Sequence, residues 1–188
     1  MSTGDARTVV LVEGVSDQVA VEALAVRQGR DLVAEGVAIV PMGGATNIGS
    51  FLTELGPRGR DLRLTGLCDV GEEGAFRRGL ERAGLGVELG REDMEALGFY
   101  VCVLDREDEL IRALGAEAVE QVIEAEGERG SLRIFRKQAA QRERTPEQQL
   151  RRFMGTRGGR KVRYARLLVD ALDLTRVPRP LDLLLARV

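Results

Sequence analysis

The chain has 188 residues and a formal net charge of −2, and its composition, 44% hydrophobic and 31% charged, is typical of one globular domain. It contains no histidine. That absence excludes Ser-His and Cys-His nucleophilic catalysis and argues against a catalytic zinc site. A bound metal would therefore have oxygen ligands, which suit Mg²⁺, Mn²⁺ or Ca²⁺.

Four short apolar segments alternate with helical patterns over the first 115 residues. The predicted strands are TVVLV at 8–12, GVAIVP at 36–41, LRLTGLCD at 62–69 and GFYVCVLD at 98–105. The predicted helices are 17–28, 48–55, 72–83 and 107–114. Continuous apolar strands that alternate with helices are typical of a parallel sheet covered on both faces. We therefore predict an α/β fold with a four-stranded parallel sheet flanked by helices, formed by a core over residues 1–115.

Helical patterns alone follow Gly115, and no further strand is indicated. The predicted helices are 116–126, 132–141, 146–154 and 164–172, with a short final helix that Pro178 and Pro180 introduce. We predict that residues 116–188 form a helical extension packed on the core.

The charge is distributed unevenly along the chain. Between Arg133 and Arg179 there are 14 Arg and Lys residues against 4 Asp and Glu, whereas all other positions together hold 14 basic and 26 acidic residues. An acidic body joined to a basic C-terminal third favours a polyanionic partner. The alternative is that these arginines only form the solvated faces of helices.

The cysteines and the N-terminus bear on the compartment. Cys68 and Cys102 each lie within an apolar segment and lack the spacing of a metal site, which predicts reduced, buried thiols. No apolar run approaches the roughly 18–20 residues of a membrane span. The first residues do not have the pattern of a signal peptide. We predict a cytoplasmic protein.

Acidic residues follow three of the four predicted strands. Glu13 ends the first strand, Asp69 the third and Asp105 the fourth. Ligands of open α/β sheets bind outside the carboxyl ends of the strands, where these side chains would meet. The turns add four more acids, Asp17, Glu72, Glu73 and Glu107. The second strand instead precedes Gly43 and Gly44, which permit close approach of the backbone to a ligand.

Helix capping is the alternative explanation of these acids. Asp69 and Asp105 could be N-caps, and Asp17 could complement the dipole of the helix that it begins. Convergence of three strand-end carboxylates would be repulsive without a cation, however, and a divalent ion would offset that repulsion. Such a cluster, in a chain without histidine, suits two-metal phosphoryl chemistry.

Four segments carry a resemblance to a known family. They are VLVEGVSDQVAVEAL, VPMGGATNIGSFL, GLCDVGEEGAF and VCVLDREDELIRALG. They resemble the Toprim domain of topoisomerases, bacterial primases, the RecR recombination protein and OLD-family (overcoming lysogenization defect) nucleases. Residues 8 to 115 look most like the Toprim half of an OLD-family endonuclease. The phosphate-loop pattern GxxxxGK[ST] is absent, so the ATPase half is not expected here and neither is a requirement for ATP.

The resemblance implies roles for particular residues. Glu13 matches the glutamate of the first Toprim motif, and Asp69 matches the first aspartate of the DxD motif, whose second position is Gly71 here. The implied metal ligands are Glu13, Asp17, Asp69, Glu72, Glu73, Asp105 and Glu107. Glu13, Asp17 and Asp69 would hold one ion, and Asp69 would share a second with Asp105, Glu107, Glu72 or Glu73. Lys161 resembles the lysine that these nucleases use, and with Glu13 and Asp69 it completes the predicted catalytic set.

The expected activity is that of a DNA endonuclease that uses Mg²⁺ or Mn²⁺, with two ions and little sequence specificity. The candidate nucleic-acid contacts are Gly43, Gly44, Arg151, Arg152, Arg157, Arg160, Lys161 and Arg163. Only 4% of residues are aromatic, so base stacking is a poor source of affinity and backbone contacts are expected to dominate.

Two other readings stay open at this point. A small Toprim ribonuclease that matures ribosomal RNA has a similar length, although its family usually keeps both aspartates of the DxD motif. A non-catalytic DNA-binding scaffold, as in RecR, would retain DNA without cleaving it. A topoisomerase is disfavoured, because Tyr100 falls within a predicted strand and Tyr164 within a predicted helix.

Overall fold

The computed structural model describes residues 4–188 and contains one parallel sheet of four strands in the order β2-β1-β3-β4. The strands are β1 (Thr8–Val12), β2 (Val37–Pro41), β3 (Arg63–Asp69) and β4 (Phe99–Cys102). β1 pairs in parallel with β2 on one side and with β3 on the other, and β3 pairs with β4. The predicted α/β class is confirmed. The first three positions of the predicted core lie outside the described residues.

The helices of the first 115 residues follow the strands closely. They are α1 (Val15–Arg27), α2 (Ile48–Leu55), α3 (Glu73–Arg82), α4 (Arg91–Ala96) and α5 (Arg106–Leu114). α4 is not predicted from the sequence, because its six residues are too few to show a helical period. It is fixed instead at its N-terminus, where the Gly90 amide donates to the carboxylate of Asp93 at 2.7 Å.

The fourth strand is shorter than predicted. It ends at Cys102, and the side chains of Val103 and Leu104 are exposed. The amide of Val103 donates to Glu109 Oε1 at 2.7 Å instead of continuing the sheet. Asp105 therefore lies at the start of α5 rather than at the end of a strand.

Alternate residues of β1 pack on opposite faces of the sheet. Val9 and Leu11 join a hydrophobic cluster with α2 and α3, whereas Val10 and Val12 join one with α1 and the later helices. All four side chains have no exposed surface. This double coverage explains why the strand reads as an uninterrupted apolar run.

The chain after Gly115 is helical, as predicted. Its helices are α6 (Ala116–Ala125), α7 (Arg129–Arg136), α8 (Pro146–Met154), α9 (Arg160–Ala171) and α10 (Arg179–Arg187). α9 packs along α1, and α10 packs against β3 and β4, so these helices complete the second layer of the sheet. The division into a core over 1–115 and an extension over 116–188 stays a prediction.

Two helices in this region, α7 and α9, have bounds that differ from the prediction by three residues or more. α9 begins at Arg160, four residues before the predicted start, because Gly159 adopts a left-handed conformation (φ 77°) that sets the turn into the helix. α7 ends at Arg136, and only a short 3₁₀ turn, Ala139–Gln141, follows it.

Both cysteines are free and buried, as predicted. Burial raises the pKa of the Cys68 and Cys102 thiols, so neither is a ready thiolate. Among residues 4–188, no helix has both the length and the apolar character needed to cross a membrane.

Candidate active site

The predicted acids lie at the carboxyl ends of three adjacent strands. Glu13 follows β1, Asp69 is the last residue of β3, and Asp105 lies three residues beyond β4. Because β1, β3 and β4 are neighbours in the sheet, these residues share one edge. Their charges influence one another, as the pKa shifts below show.

Asp69 does not cap a helix. It precedes the 3₁₀ turn Val70–Glu72, but its side chain makes no capping hydrogen bond there. It forms no hydrogen bond or ion pair with any side chain of residues 4–188. Burial, followed by the charges of Asp105 and Asp17, raises the pKa of Asp69 to about 7. The capping alternative is wrong for this residue.

Glu13 is likewise without a side-chain partner in the described part of the chain. Burial and then the charges of Asp17 and Glu72 raise the pKa of its carboxyl, while Lys161 acts in the opposite direction. Its carbonyl oxygen accepts a hydrogen bond from the Gly44 amide at 3.1 Å. The glycine turn after β2 is thereby tied to the peptide of Glu13.

Gly43 and Gly44 leave open space beside this turn. Both have positive φ angles, 70° and 128°, and a Cβ at either position would meet no atom within 4 Å. The turn can therefore be approached closely by a ligand, as the sequence predicts, although its contact with nucleic acid stays a prediction.

Asp17 and Asp105 do have structural partners. Asp17 Oδ2 accepts from the Gly14 amide at 2.9 Å at the start of α1. Asp105 Oδ1 accepts from the Asp108 amide at 2.8 Å, so Asp105 is the N-cap of α5. The capping explanation is confirmed for Asp105 and for part of the role of Asp17.

Arg106 was not predicted, and it lies at the centre of the acidic cluster. Its side chain is 1% exposed, its Nε lies 2.8 Å from Asp17 Oδ1, and its Nη2 lies 2.5 Å from Glu107 Oε1. Burial alone would lower the pKa of this guanidinium, but the carboxylates of Glu107 and Asp17 more than offset that effect and raise it. Arg106 is thus a permanent buried cation that joins α1 to α5.

Two further cations reach the cluster from the C-terminal helices. Arg151 Nε, on α8, lies 2.5 Å from Asp105 Oδ2. Lys161 Nζ, on α9, lies 3.4 Å from Glu107 Oε2, and its side chain is 51% exposed. The structure therefore brings Lys161 to the acids, whereas it engages Arg151, a predicted DNA contact, in an ion pair.

The two glutamates after β3 have different surroundings. The Glu72 side chain forms no hydrogen bond or ion pair with residues 4–188, and its charge contributes to the raised pKa of Glu13. Glu73 instead forms an ion pair with Arg91 of α4. Glu72 is consequently the better placed of the two candidates for a ligand, although both assignments stay predictions.

The structure does not present Arg160 to a nucleic acid. The residue is 5% exposed, its guanidinium lies 4.0 Å from the ring centroid of Phe153, and its Nε lies 3.0 Å from Glu128 Oε2. The sequence predicts Arg160 as a nucleic-acid contact of the basic C-terminal helices, but it lies buried in the first turn of α9. Arg163 pairs with Glu126, whereas Arg152 and Arg157 are exposed and make no side-chain ion pair within residues 4–188.

We expect Arg160→Ala to lower the free energy of unfolding by about 2–3 kcal/mol, because it removes the stacking on Phe153 and one ion pair of Glu128, whose carboxylate then keeps only Arg163 and the Tyr164 hydroxyl as partners. The matched change Arg157→Ala removes an exposed side chain and should alter stability by less than about 0.5 kcal/mol. Urea denaturation followed by circular dichroism measures both. Equal effects would contradict the structural role assigned to Arg160.

The unpaired carboxylates suit a hard divalent cation by their chemistry. Across residues 4–188, no three Asp, Glu or Cys side chains are placed to hold an ion together as they stand. Glu13 and Asp69 nevertheless offer oxygen donors that no side chain of residues 4–188 bonds. Burial first, and then the neighbouring carboxylates, raise the pKa of both groups, and a bound cation would offset these effects. The donor set therefore fits Mg²⁺ or Mn²⁺.

Comparison with known proteins identifies the class. The family model described as "Overcoming lysogenization defect protein-like, TOPRIM domain" matches residues 6–57, which span β1 to α2. No curated protein matches the chain by sequence. The first part of the chain, with Glu13 and the glycine turn, is therefore similar in sequence to OLD-like Toprim domains.

The particular relation is to OLD proteins. The fold is similar to the C-terminal region of the Xanthomonas campestris pv. campestris OLD protein, with a TM-score of 0.78 and 25% identity, over 97% of this chain and 92% of that structure. The C-terminal region of the Burkholderia pseudomallei OLD protein has the same fold, with a TM-score of 0.73 and 22% identity over 96% of each chain. The similarity of fold extends over the sheet and the C-terminal helices, and residues 6–57 are in addition similar in sequence to the OLD-like Toprim family.

Proposed function

We propose that this chain is a divalent-metal-dependent nuclease that hydrolyses DNA phosphodiester bonds without ATP. The observation that carries the proposal is the pair of unpartnered carboxylates, Glu13 and Asp69, at the ends of adjacent strands of an OLD-like Toprim domain. Lys161 lies beside the same cluster, as the resemblance implies.

Each group has a role in this mechanism. Glu13 and Asp69 would hold the metal, which would supply an activated water and Lewis-acid stabilisation of the phosphate. Lys161 has a half-exposed ammonium that can face the negative charge that develops on the phosphoryl oxygens. Arg106 and Arg151 keep the neighbouring acids Asp17 and Asp105 in fixed positions.

The exposed arginines next to Lys161 support a nucleic-acid substrate. Arg152 lies in the last turn of α8 and Arg157 in the loop before α9, and neither is neutralised by an acid among the described residues. Contacts of this kind reach phosphates rather than bases, so they give affinity without sequence specificity. Binding should accordingly weaken as salt is raised.

The direct test is cleavage of supercoiled plasmid by the purified chain with Mg²⁺ or Mn²⁺ and without ATP. We expect nicked and linear products that EDTA abolishes. Structured RNA, tested in parallel, separates the ribonuclease reading, which predicts cleavage of RNA alone. Retention of plasmid that is indifferent to EDTA, with no cleavage, would refute the nuclease proposal and favour a DNA-binding scaffold.

A further inference from the structure

Six carboxylates of the cluster divide into two groups by their partners. Three are engaged by the cations Arg106, Arg151 and Lys161. The engaged acids are Asp17, Asp105 and Glu107. The other three have no side-chain partner within residues 4–188. These unengaged acids are Glu13, Asp69 and Glu72.

Arg106 makes this division permanent. An arginine guanidinium stays protonated in proteins, and the Arg106 side chain is only 1% exposed, so its charge remains inside the cluster. It bonds Asp17 through Nε and Glu107 through Nη2, which leaves Nη1 buried without a hydrogen-bond partner among the described residues. A buried cation in this setting depends on both acids for its compensation.

A metal ion that took Asp17 or Glu107 as a ligand would have to compete with Arg106. Drawing either carboxylate away would leave the guanidinium buried with one partner fewer, and the ion itself would lie close to a like charge. Glu13 and Asp69 carry no such penalty, because no cation among residues 4–188 bonds them.

Gly71 offers no carboxylate to a metal ion at a position close to Asp69 in the chain. It occupies the second position of the DxD pattern, where a carboxylate would be expected, and a Cβ at that position would meet no atom within 4 Å. The chain has room for an acid there and does not have one. The part of the cluster around Asp105 and Glu107 therefore has few free oxygen ligands for a metal, and side-chain cations already neutralise its carboxylates.

We propose that Arg106 is a built-in cation that takes the electrostatic place of a second metal ion, so that the chain by itself holds one divalent ion, at Glu13 and Asp69. This inference rests on the proposed metal dependence and departs from the two ions that the family resemblance implies. Arg106 is a positioning residue in this account, because it acts on the acids and does not touch the substrate.

Mn²⁺ binding to the purified chain tests the inference without any measurement of activity. Isothermal titration calorimetry, checked by the electron paramagnetic resonance signal of free Mn²⁺, should give one ion per chain. Arg106→Met frees Asp17 and Glu107, and we expect it to bind two ions. Arg106→Lys keeps the charge and should bind one. The matched control is Arg112→Met, which removes a half-exposed arginine that pairs with Asp108 and Glu109 and should also bind one ion.

Substitutions of the acids provide a second measurement if Arg106→Met fails to fold. Asp69→Asn should weaken Mn²⁺ binding by at least about tenfold, whereas Asp17→Asn, which alters a carboxylate already engaged by Arg106, should change it by less than about threefold. Two ions on the wild-type chain, or equal losses in the two variants, would overturn the inference and leave the nuclease proposal standing. A wild-type chain that binds no ion would remove the metal dependence and this inference with it.

Discussion

We expect Glu13→Gln and Asp69→Asn each to lower the rate of DNA cleavage by about 10²- to 10³-fold. The amide keeps the size of each side chain but loses the negative charge that would hold a cation. Neither carboxylate bonds another side chain of residues 4–188, so the loss would come from the site and not from a broken structural contact. Single-turnover cleavage of supercoiled plasmid at saturating Mn²⁺ measures the effect.

Matched substitutions elsewhere provide the control for this prediction. Glu54→Gln on α2 and Asp182→Asn on α10 make the same chemical changes at exposed positions. We expect both to cleave at the wild-type rate. Circular dichroism should show the same secondary structure in all four variants. Full activity in either Glu13→Gln or Asp69→Asn would remove that residue from the catalytic site.

The convergence of Glu13 and Asp69 is predictable from the sequence because it depends on chain direction alone. Parallel strands place their carboxyl ends at one edge of the sheet, and a residue that follows an apolar strand lies at that edge. The partners of those residues are not predictable in this way. Asp105 meets Arg151 across 46 positions of sequence, and no local pattern carries that information.

Arg106 shows the same limit more sharply. It lies between acids in the segment LDRED, where a charged residue in the first turn of a helix would ordinarily face solvent. It is buried because α9 packs on α1 and closes the space beside α5. The sequence does show an arginine directly after a predicted apolar strand and between acidic residues. Its burial, however, depends on helices that follow it by more than 40 residues.

The fold was predicted more completely than the site. Alternating apolar strands and helices define the sheet, because each strand is buried on both faces. The boundaries that differ, at α4, α9 and the end of β4, are set by single contacts. Each of these boundaries is set by a glycine turn or by an amide that donates to a carboxylate. The spacing of hydrophobic residues does not reveal such local contacts.

We expect Asp69→Asn to stabilise the metal-free chain above neutral pH. Asp69 has a pKa of about 7 in the folded chain, whereas an aspartate in an unfolded chain has a pKa of about 3.9. Between these values the folded chain binds more protons than the unfolded one, so this group makes stability fall as the pH rises through that window. Above about pH 7 the full penalty of an ionised, unpartnered carboxylate is present.

Asparagine resembles the neutral form of the acid and so removes that penalty. Because Asp69 is only half-buried, solvent screening reduces the gain to on the order of 1 kcal/mol, or about 2–4 °C in melting temperature. Thermal melts in EDTA should show a larger gain at about pH 8 than at about pH 5. Saturating Mg²⁺ should reverse the order at the higher pH, because the wild-type carboxylate then has a cation to hold and the amide does not. Equal stabilisation of the variant at both values of pH would show that ionisation of Asp69 does not destabilise the folded chain. Reversal by Mg²⁺ would indicate that the unpartnered carboxylate lowers stability in the absence of metal and binds the ion in its presence.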